Sequence, residues 1–275
     1  MKKVMKSMVV GSLAAAMLAS GAGAADFTSN ADVLNSLGLF QGSEAGYDLD
    51  RAPDRAESAT MLVRLLGKEA EAKAYYESKS SEQFTDMDGT YEWAKPYVEW
   101  LYSQGLTSGA TATTFEPGNK CTAQQYATFL MRALGYSDAQ GGDFTYANVF
   151  DFAKEKGVVD AFNMDADNFL RDDLVAMSYT ALSTAPKTGE ADLLTKLVND
   201  KAVDATKAAP VQKTFETLRN FNEAYKTVAA TTSADATADF TMNMKAADTS
   251  VDASGKFDVQ VKVDPAKLEE MQMAM

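Results

Sequence analysis

Between Phe84 and Gly135 the apolar positions change spacing twice, and each change marks an element. Trp93, Ala94, Tyr97, Val98 and Leu101 fall at i, i+1, i+4, i+5 and i+8, which is one face of a helix that Gly105 ends. A loop through Gly109, Phe115, Pro117 and Gly118 follows. Thr122 and Gln125 then form a T-x-x-Q capping box, in which each side chain can satisfy an orphan amide at the start of a second helix. Tyr126, Leu130, Ala133 and Leu134 supply the apolar face of that helix, and Gly135 stops it. The predicted unit is helix, ordered loop, helix.

Weaker copies lie on either side. Asp54 to Gly67, set without gaps against Thr122 to Gly135, repeats Ala59/Ala127, Thr60/Thr128, Leu62/Leu130, Arg64/Arg132, Leu66/Leu134 and Gly67/Gly135. Leu37, Gly38, Leu39 and Gly42 correspond to Gln104, Gly105, Leu106 and Gly109. A third, fainter copy runs through Phe150, Phe152, Ala153, Gly157 and Val158, then Leu170 to Asp173 leading into Leu174, Met177 and Leu182. Stacked copies can bury a shared core that one helix pair cannot. Only the closing turn of a first helix is expected before Phe40, and Lys68 to Glu82 reads as a solvated polar helical link.

After Leu182 the pattern changes. Ser183 to Gly189 reads as a linker, and a short helix carries Leu193, Leu194, Leu197 and Val198. Val211, Phe215, Leu218, Phe221, Tyr225 and Val228 mark a longer amphipathic helix. The period then drops to two: Phe240, Met242 and Met244 alternate with polar residues, as do Phe257, Val259, Val261 and Val263 after a turn near Ser254 and Gly255. A β-hairpin with one apolar face is expected. Two strands cannot cover such a face in water, so either the long helix packs on it or the sheet continues in a longer protein.

The motifs of the middle copy, Phe84-Thr85-Asp86, Trp93-Ala94, Leu101, Gly105-Leu106, Gly109 and Phe115-Glu116-Pro117, resemble the repeat of the S-layer homology family. The likeness extends over residues 31 to 182. It implies a mainly α fold in which three helix-loop-helix repeats, about residues 26–68, 84–136 and 144–183, form a pseudo-threefold bundle. A small α+β region over 186–275 would follow that module of residues 26–185. The resemblance also implies grooves between repeats that bind an anionic secondary cell-wall polysaccharide, often one bearing pyruvylated sugars.

Residues 1–25 read as a secretory signal, with Lys2, Lys3 and Lys6 ahead of a short apolar core and an A-x-A site at Ala22 to Ala24. That core is too short to span a bilayer, so no membrane insertion is expected after cleavage. The 26 basic and 39 acidic residues leave a net charge of −13, which repels nucleic acid and anionic membranes. One cysteine and no histidine leave no intrachain disulfide and no Cys/His zinc site. Asp86-x-Asp88-Gly89 and Asp165-x-Asp167 lack the spacing of an EF-hand, and no nucleophile or paired-acid motif stands out, so neither a metal, a cofactor nor catalysis is expected. Cys121, with no histidine to activate it, reads as buried and inert.

Arg55 matches the arginine of the family's T-R-A-E motif, and from a helix N-terminus its fork can hold a carboxylate. Its alternative is an ion pair with Asp54, Glu57 or Asp50. Arg171 matches the same place in the third copy, whereas the second copy has Ala123 there and reads as silent. Asp54 and Glu57 read as a capping box around Arg55. Asp86 fits either a cap for the helix leading to Trp93 or a ligand contact. Trp93 reads as core by its position on an apolar face, with sugar stacking as the other use. Gly105 and Gly109 permit tight turns or close ligand approach. The expected ligand set is thus Arg55, Arg171, Asp86, Trp93, Gly105, Gly109 and Glu57, serving non-catalytic anchoring of a secreted protein at the cell wall. Two rival expectations are an apolar-ligand protein that uses the repeats as a tether and a subunit that self-associates in a surface layer.

Overall fold

The computed structural model describes residues 27–42, 46–159, 164–189, 191–231, 239–243 and 258–262, with side chains described through residue 220 apart from Leu218. The expected signal segment and the turn near Gly255 lie outside these. Two compact units divide at Pro210. The first is mainly helical.

Helices α1 (Thr28–Ser36), α2 (Arg55–Leu65), α3 (Glu69–Ser78), α4 (Lys95–Ser103), α5 (Ala123–Ala133), α6 (Val149–Glu155), α7 (Arg171–Leu182) and α8 (Leu193–Asn199) follow one another in the first unit. α9 (Ala205–Thr231) begins there and carries Pro210. Both local caps form as read. The Asp54 carboxylate accepts from the Glu57 amide while Glu57 accepts from the Asp54 amide, and Thr122 and Gln125 make the same pair of bonds. Each cap fixes where its helix begins, and Gly67 and Gly135, both at positive φ, fix where it ends.

The packing follows a rule of succession. α4 lies against α2, α6 against α5, and α1 against α7. In each case the first helix of one copy covers the second helix of another, and α5 also touches α2 and α7. The apolar faces close over Leu34, Leu62, Leu65, Leu101, Tyr126, Leu130 and Met131, all almost fully buried. Tyr126 brings its polar end inside, and it finds a partner in Ser178 of α7 at 2.7 Å.

Three readings need correction. α1 is a nine-residue helix rather than a closing turn, and it is tied to α7 by the Phe27 amide donating to Asp172 at 2.8 Å. Lys68 to Glu82 is no solvated link, because α3 packs along α4, burying Ala72 and bonding Tyr97 to Glu69 and Trp100 to Glu71. The first unit also continues past residue 185. α8 packs on α7 with Leu193, Leu194 and Leu197 buried, and the Leu193 amide donates to Thr184.

The α3–α4 contact predicts a pH dependence. Burial alone raises the Glu69 carboxyl, but hydrogen bonds from Lys73, Arg64 and Tyr97 outweigh it and hold the group at about 2, against 4.5 when unperturbed. A depressed carboxyl contributes stability that is fully present above the unfolded value and is lost as pH falls through the folded one. Denaturant unfolding should therefore show stability falling from pH 4.5 towards pH 2, and Glu69→Gln should flatten that slope.

In the second unit, β1 (Asp239–Asn243) and β2 (Asp258–Lys262) pair antiparallel. The register sets Phe240 opposite Val261 and Met242 opposite Val259, so the apolar members of the two alternating runs share ladder positions.

Candidate functional site

The loops that join first and second helices end by docking on the start of another copy's second helix. The Arg55 amide donates to Asn119 O at 2.9 Å and the Ala56 amide to Pro117 O at 3.1 Å, while Asp54 and Lys120 form an isolated bridge. At the start of α7, Arg171 donates to Arg51 O at 2.9 Å and Asp172 to Leu49 O at 3.1 Å. Asn119 and Pro117 stand where Arg51 and Leu49 stand in the ungapped alignment, so the two junctions use the same four positions. Free amides at a helix N-terminus need acceptors, and here loop carbonyls supply them. Asp48 and Glu116, also equivalent, both take positive φ, the bend that turns each loop onto its helix.

The arginines at the two junctions differ in what they reach. Arg55 is 6% exposed; its Nε donates to Phe115 O at 2.9 Å, and its guanidinium lies 4.7 Å from the Phe115 ring centre. It forms no ion pair among the described residues and does not line the cleft below, so it locks the loop to the helix. Arg171 begins in the same way, with Nε donating to Tyr47 O at 3.0 Å and its guanidinium over Phe40. Its Nη1 goes further and lies 3.2 Å from Glu57 Oε1.

A cleft of about 140 Å³ opens there. Loop residues Phe40, Gly42 and Arg51, α2 residues Glu57, Thr60 and Arg64, α7 residue Arg171, and Trp93 from the short 3₁₀ turn Gly89–Ala94 border it. It therefore draws on three separate stretches of the chain, residues 40–64, 89–94 and the start of α7. Arg51 grips Glu57 bidentately, Nη1 to Oε2 at 2.8 Å and Nη2 to Oε1 at 2.5 Å, and also faces Asp48. Burial alone pushes the Glu57 carboxyl up, but the Arg51 bonds, the Asp54 amide and the Arg171 charge outweigh it, and the group stays below its ordinary range. Burial lowers the Arg171 guanidinium, against the raising field of Glu57. Arginine remains charged at any physiological pH. Arg64 is held by Glu69 at 3.0 Å, so Arg51 and Arg171 face Asp48 and Glu57 and concentrate two guanidinium groups at the cleft in a chain of net charge −13.

The expected site residues divide cleanly. Arg171, Glu57 and Trp93 meet at the cleft; Arg55, Asp86, Gly105 and Gly109 are not on its wall. Trp93 is 48% exposed, not core. It sits in the 3₁₀ turn, whose tighter winding takes it off the stripe that Tyr97, Val98 and Leu101 bury in α4. Asp86 does not cap that turn. Its carboxylate accepts from the Phe115 amide at 2.9 Å and the Glu116 amide at 2.7 Å, holding the loop that docks on α2. A Cβ at Gly109 would lie 2.4 Å from Phe84 and 2.6 Å from Thr111 O, so glycine is required there by packing. Gly105, at φ +69°, closes α4 with the Leu106 amide bonded back to Leu101. Arg51 and Arg64 were not anticipated. Arg64 repeats as Arg132, and of the two only Arg64 borders the cleft. Among the described residues no cluster of His, Cys, Asp and Glu is grouped to hold a metal ion, and no helix is long and apolar enough to cross a membrane.

Comparison with known proteins bears on the same stretch. Residues 83–127, which hold Asp86, Trp93, Gly105, Gly109 and the second loop, match the S-layer homology domain. This stretch is an S-layer homology domain. The chain is similar to the middle cell wall protein of Brevibacillus brevis, 33% identical over 155 residues, which are 52% of this chain and 14% of that protein. It is also similar to a surface layer protein of Brevibacillus choshinensis, 29% identical over 153 residues, covering 52% and 13% of the two. An endoglucanase of a Bacillus species is 31% identical over 87 residues, 32% of this chain and 9% of the enzyme. The chain thus matches only a small part of each relative's length. With the S-layer homology domain comes a location: the protein is secreted and associated with the cell wall.

Proposed function

We propose that the chain is a non-catalytic anchor that holds an anionic secondary cell-wall polysaccharide in the cleft between Arg51, Arg171 and Trp93. One observation carries this reading. The cleft sets two guanidinium groups, already aimed at a carboxylate, beside an exposed indole in an otherwise acidic protein. A sugar acid, such as a pyruvylated residue, offers the matching pair of features, a carboxylate for the fork and a ring face for the aromatic. Arg171 leads and Arg55 supports from behind, which reverses the weight the motif alone would assign them.

The reading includes the arrangement that makes the cleft. Three copies of one unit stand about a pseudo-threefold axis, supported by the succession of first helices over second helices and by the paired loop junctions at α2 and α7. The antiparallel strands of the second unit form a hairpin in the attached region.

The test is sedimentation of the full chain with purified cell-wall sacculi, before and after acid extraction of their secondary polymer. The chain should pellet with the first, stay in solution with the second, and release as salt rises. Equal pelleting with extracted sacculi would point to peptidoglycan or to non-specific adhesion instead.

A further inference from the structure

Thr60 is a polar group that the fold leaves unserved. It is 3% exposed, lies on α2, borders the cleft with Arg51, Arg64, Arg171 and Trp93, and its Oγ1 has no hydrogen-bond partner. A helical threonine has a ready acceptor in the carbonyl four residues back. Other threonines of this protein use it: Thr180 bonds Ala176 O at 3.0 Å, and Thr128, which occupies the position of Thr60 in the second copy, bonds Gln124 O at 2.8 Å. Thr60 forgoes that bond, although burying an unpaired hydroxyl lowers stability. The other buried side-chain atom of this kind among the described residues, Asn30 Oδ1, is not on the cleft wall.

We infer that Thr60 is a specificity-determining residue of the cleft, its hydroxyl reserved for a neutral polar group on the sugar whose acid group the arginines hold. This rests on the anchoring reading and narrows it. Arginine only donates, and Glu57 when ionised only accepts, whereas a threonine hydroxyl does both. Thr60 therefore suits a ring hydroxyl or an acetamido group, which also donates and accepts. The substituent that uses both capacities of Thr60 lies near the sugar's carboxylate, whereas a simple polyanion such as polyphosphate can only accept from the hydroxyl and leaves its acceptor capacity unused. A site built to bond a hydroxyl discriminates against ligands that lack one, because its own buried group then stays unmatched.

Thr60→Val keeps the shape and removes the hydroxyl. In the full chain it should weaken binding to sacculi about tenfold, the order expected from one lost hydrogen bond, while Tm stays level or rises because no unpaired hydroxyl is left to bury. Thr60→Ser, which restores the hydroxyl, should bind within about twofold of the original chain. Thr128→Val should lower Tm with no change in binding. Sacculus binding by Thr60→Val equal to the original would overturn the inference and leave the anchoring reading standing. Weak binding by both Thr60 variants together with lower Tm would also overturn it, since that is the signature of a packing role. If the original chain itself ignores sacculi, the anchoring reading falls and Thr60 with it.

Discussion

Replacing Arg171 with alanine is expected to reduce binding of the full chain to sacculi by about 100-fold or more, with helix content by circular dichroism retained. The guanidinium is buried, and its Nη1 faces the cleft through Glu57. Removing it deletes one charge-assisted fork arm for the ligand and also leaves Glu57 less neutralised, so the acid that remains repels an anion. Arg171→Lys should recover only a small part, because an ammonium keeps the charge and loses the planar geometry. Arg55→Ala supplies the contrast. Its Nε bond to Phe115 O and its place over that ring hold the second loop on α2, so its loss should cost about 1–2 kcal/mol of stability and weaken binding far less. If Arg55→Ala and Arg171→Ala were to exchange these effects, the assignment of the cleft would be wrong.

The largest effect on stability is expected at Glu99. Its carboxylate is 1% exposed in α4 and accepts from the Gln83 amide at 2.8 Å, the Phe84 amide at 3.2 Å and the Lys79 ammonium. A buried charge is tolerable only when such partners surround it. Glu99→Ala leaves two amides and a largely buried ammonium without their acceptor, and breaking a buried pair from one side typically costs about 3–5 kcal/mol. For a unit of this size that lowers Tm by roughly 10 °C. Glu99→Gln keeps one acceptor oxygen and should lose roughly half as much. Scanning calorimetry of the full chain decides it. A change below about 1 kcal/mol would mean that the segment leaving α3 does not depend on this anchor.

Glu99 also shows where reading the sequence succeeds and where it stops. Local chemistry was legible: Asp54 with Glu57 and Thr122 with Gln125 begin α2 and α5 as their spacing implies, because a capping box needs only four consecutive residues. Glu99 was not, because its partners come from residues 79 to 84 and only the packed chain brings them near. Trp93 was misjudged for a related reason, since a period of 3.6 assumes an α-helix and the tryptophan stands in a 3₁₀ turn. The motif named Arg55 and Arg171 as equivalents, and their backbone bonds are equivalent. What separates them is the motif's glutamate position on the neighbouring second helix: Arg171 meets Glu57, already held by Arg51, whereas the position matching Glu57 beside Arg55's own loop is the neutral Gln125. Sequence periodicity reports a repeat, and the difference between copies that makes one junction a binding site is a matter of three-dimensional neighbours.

A crystal structure of the full chain with an oligosaccharide released from its cell-wall polymer would test the central claim most directly. The account predicts an acidic sugar between Arg171, Arg51 and Trp93, with its carboxylate within hydrogen-bond distance of the Arg171 guanidinium. Density for the oligosaccharide at another junction, with the Arg171 cleft unchanged and Glu57 still paired with Arg171, would contradict it.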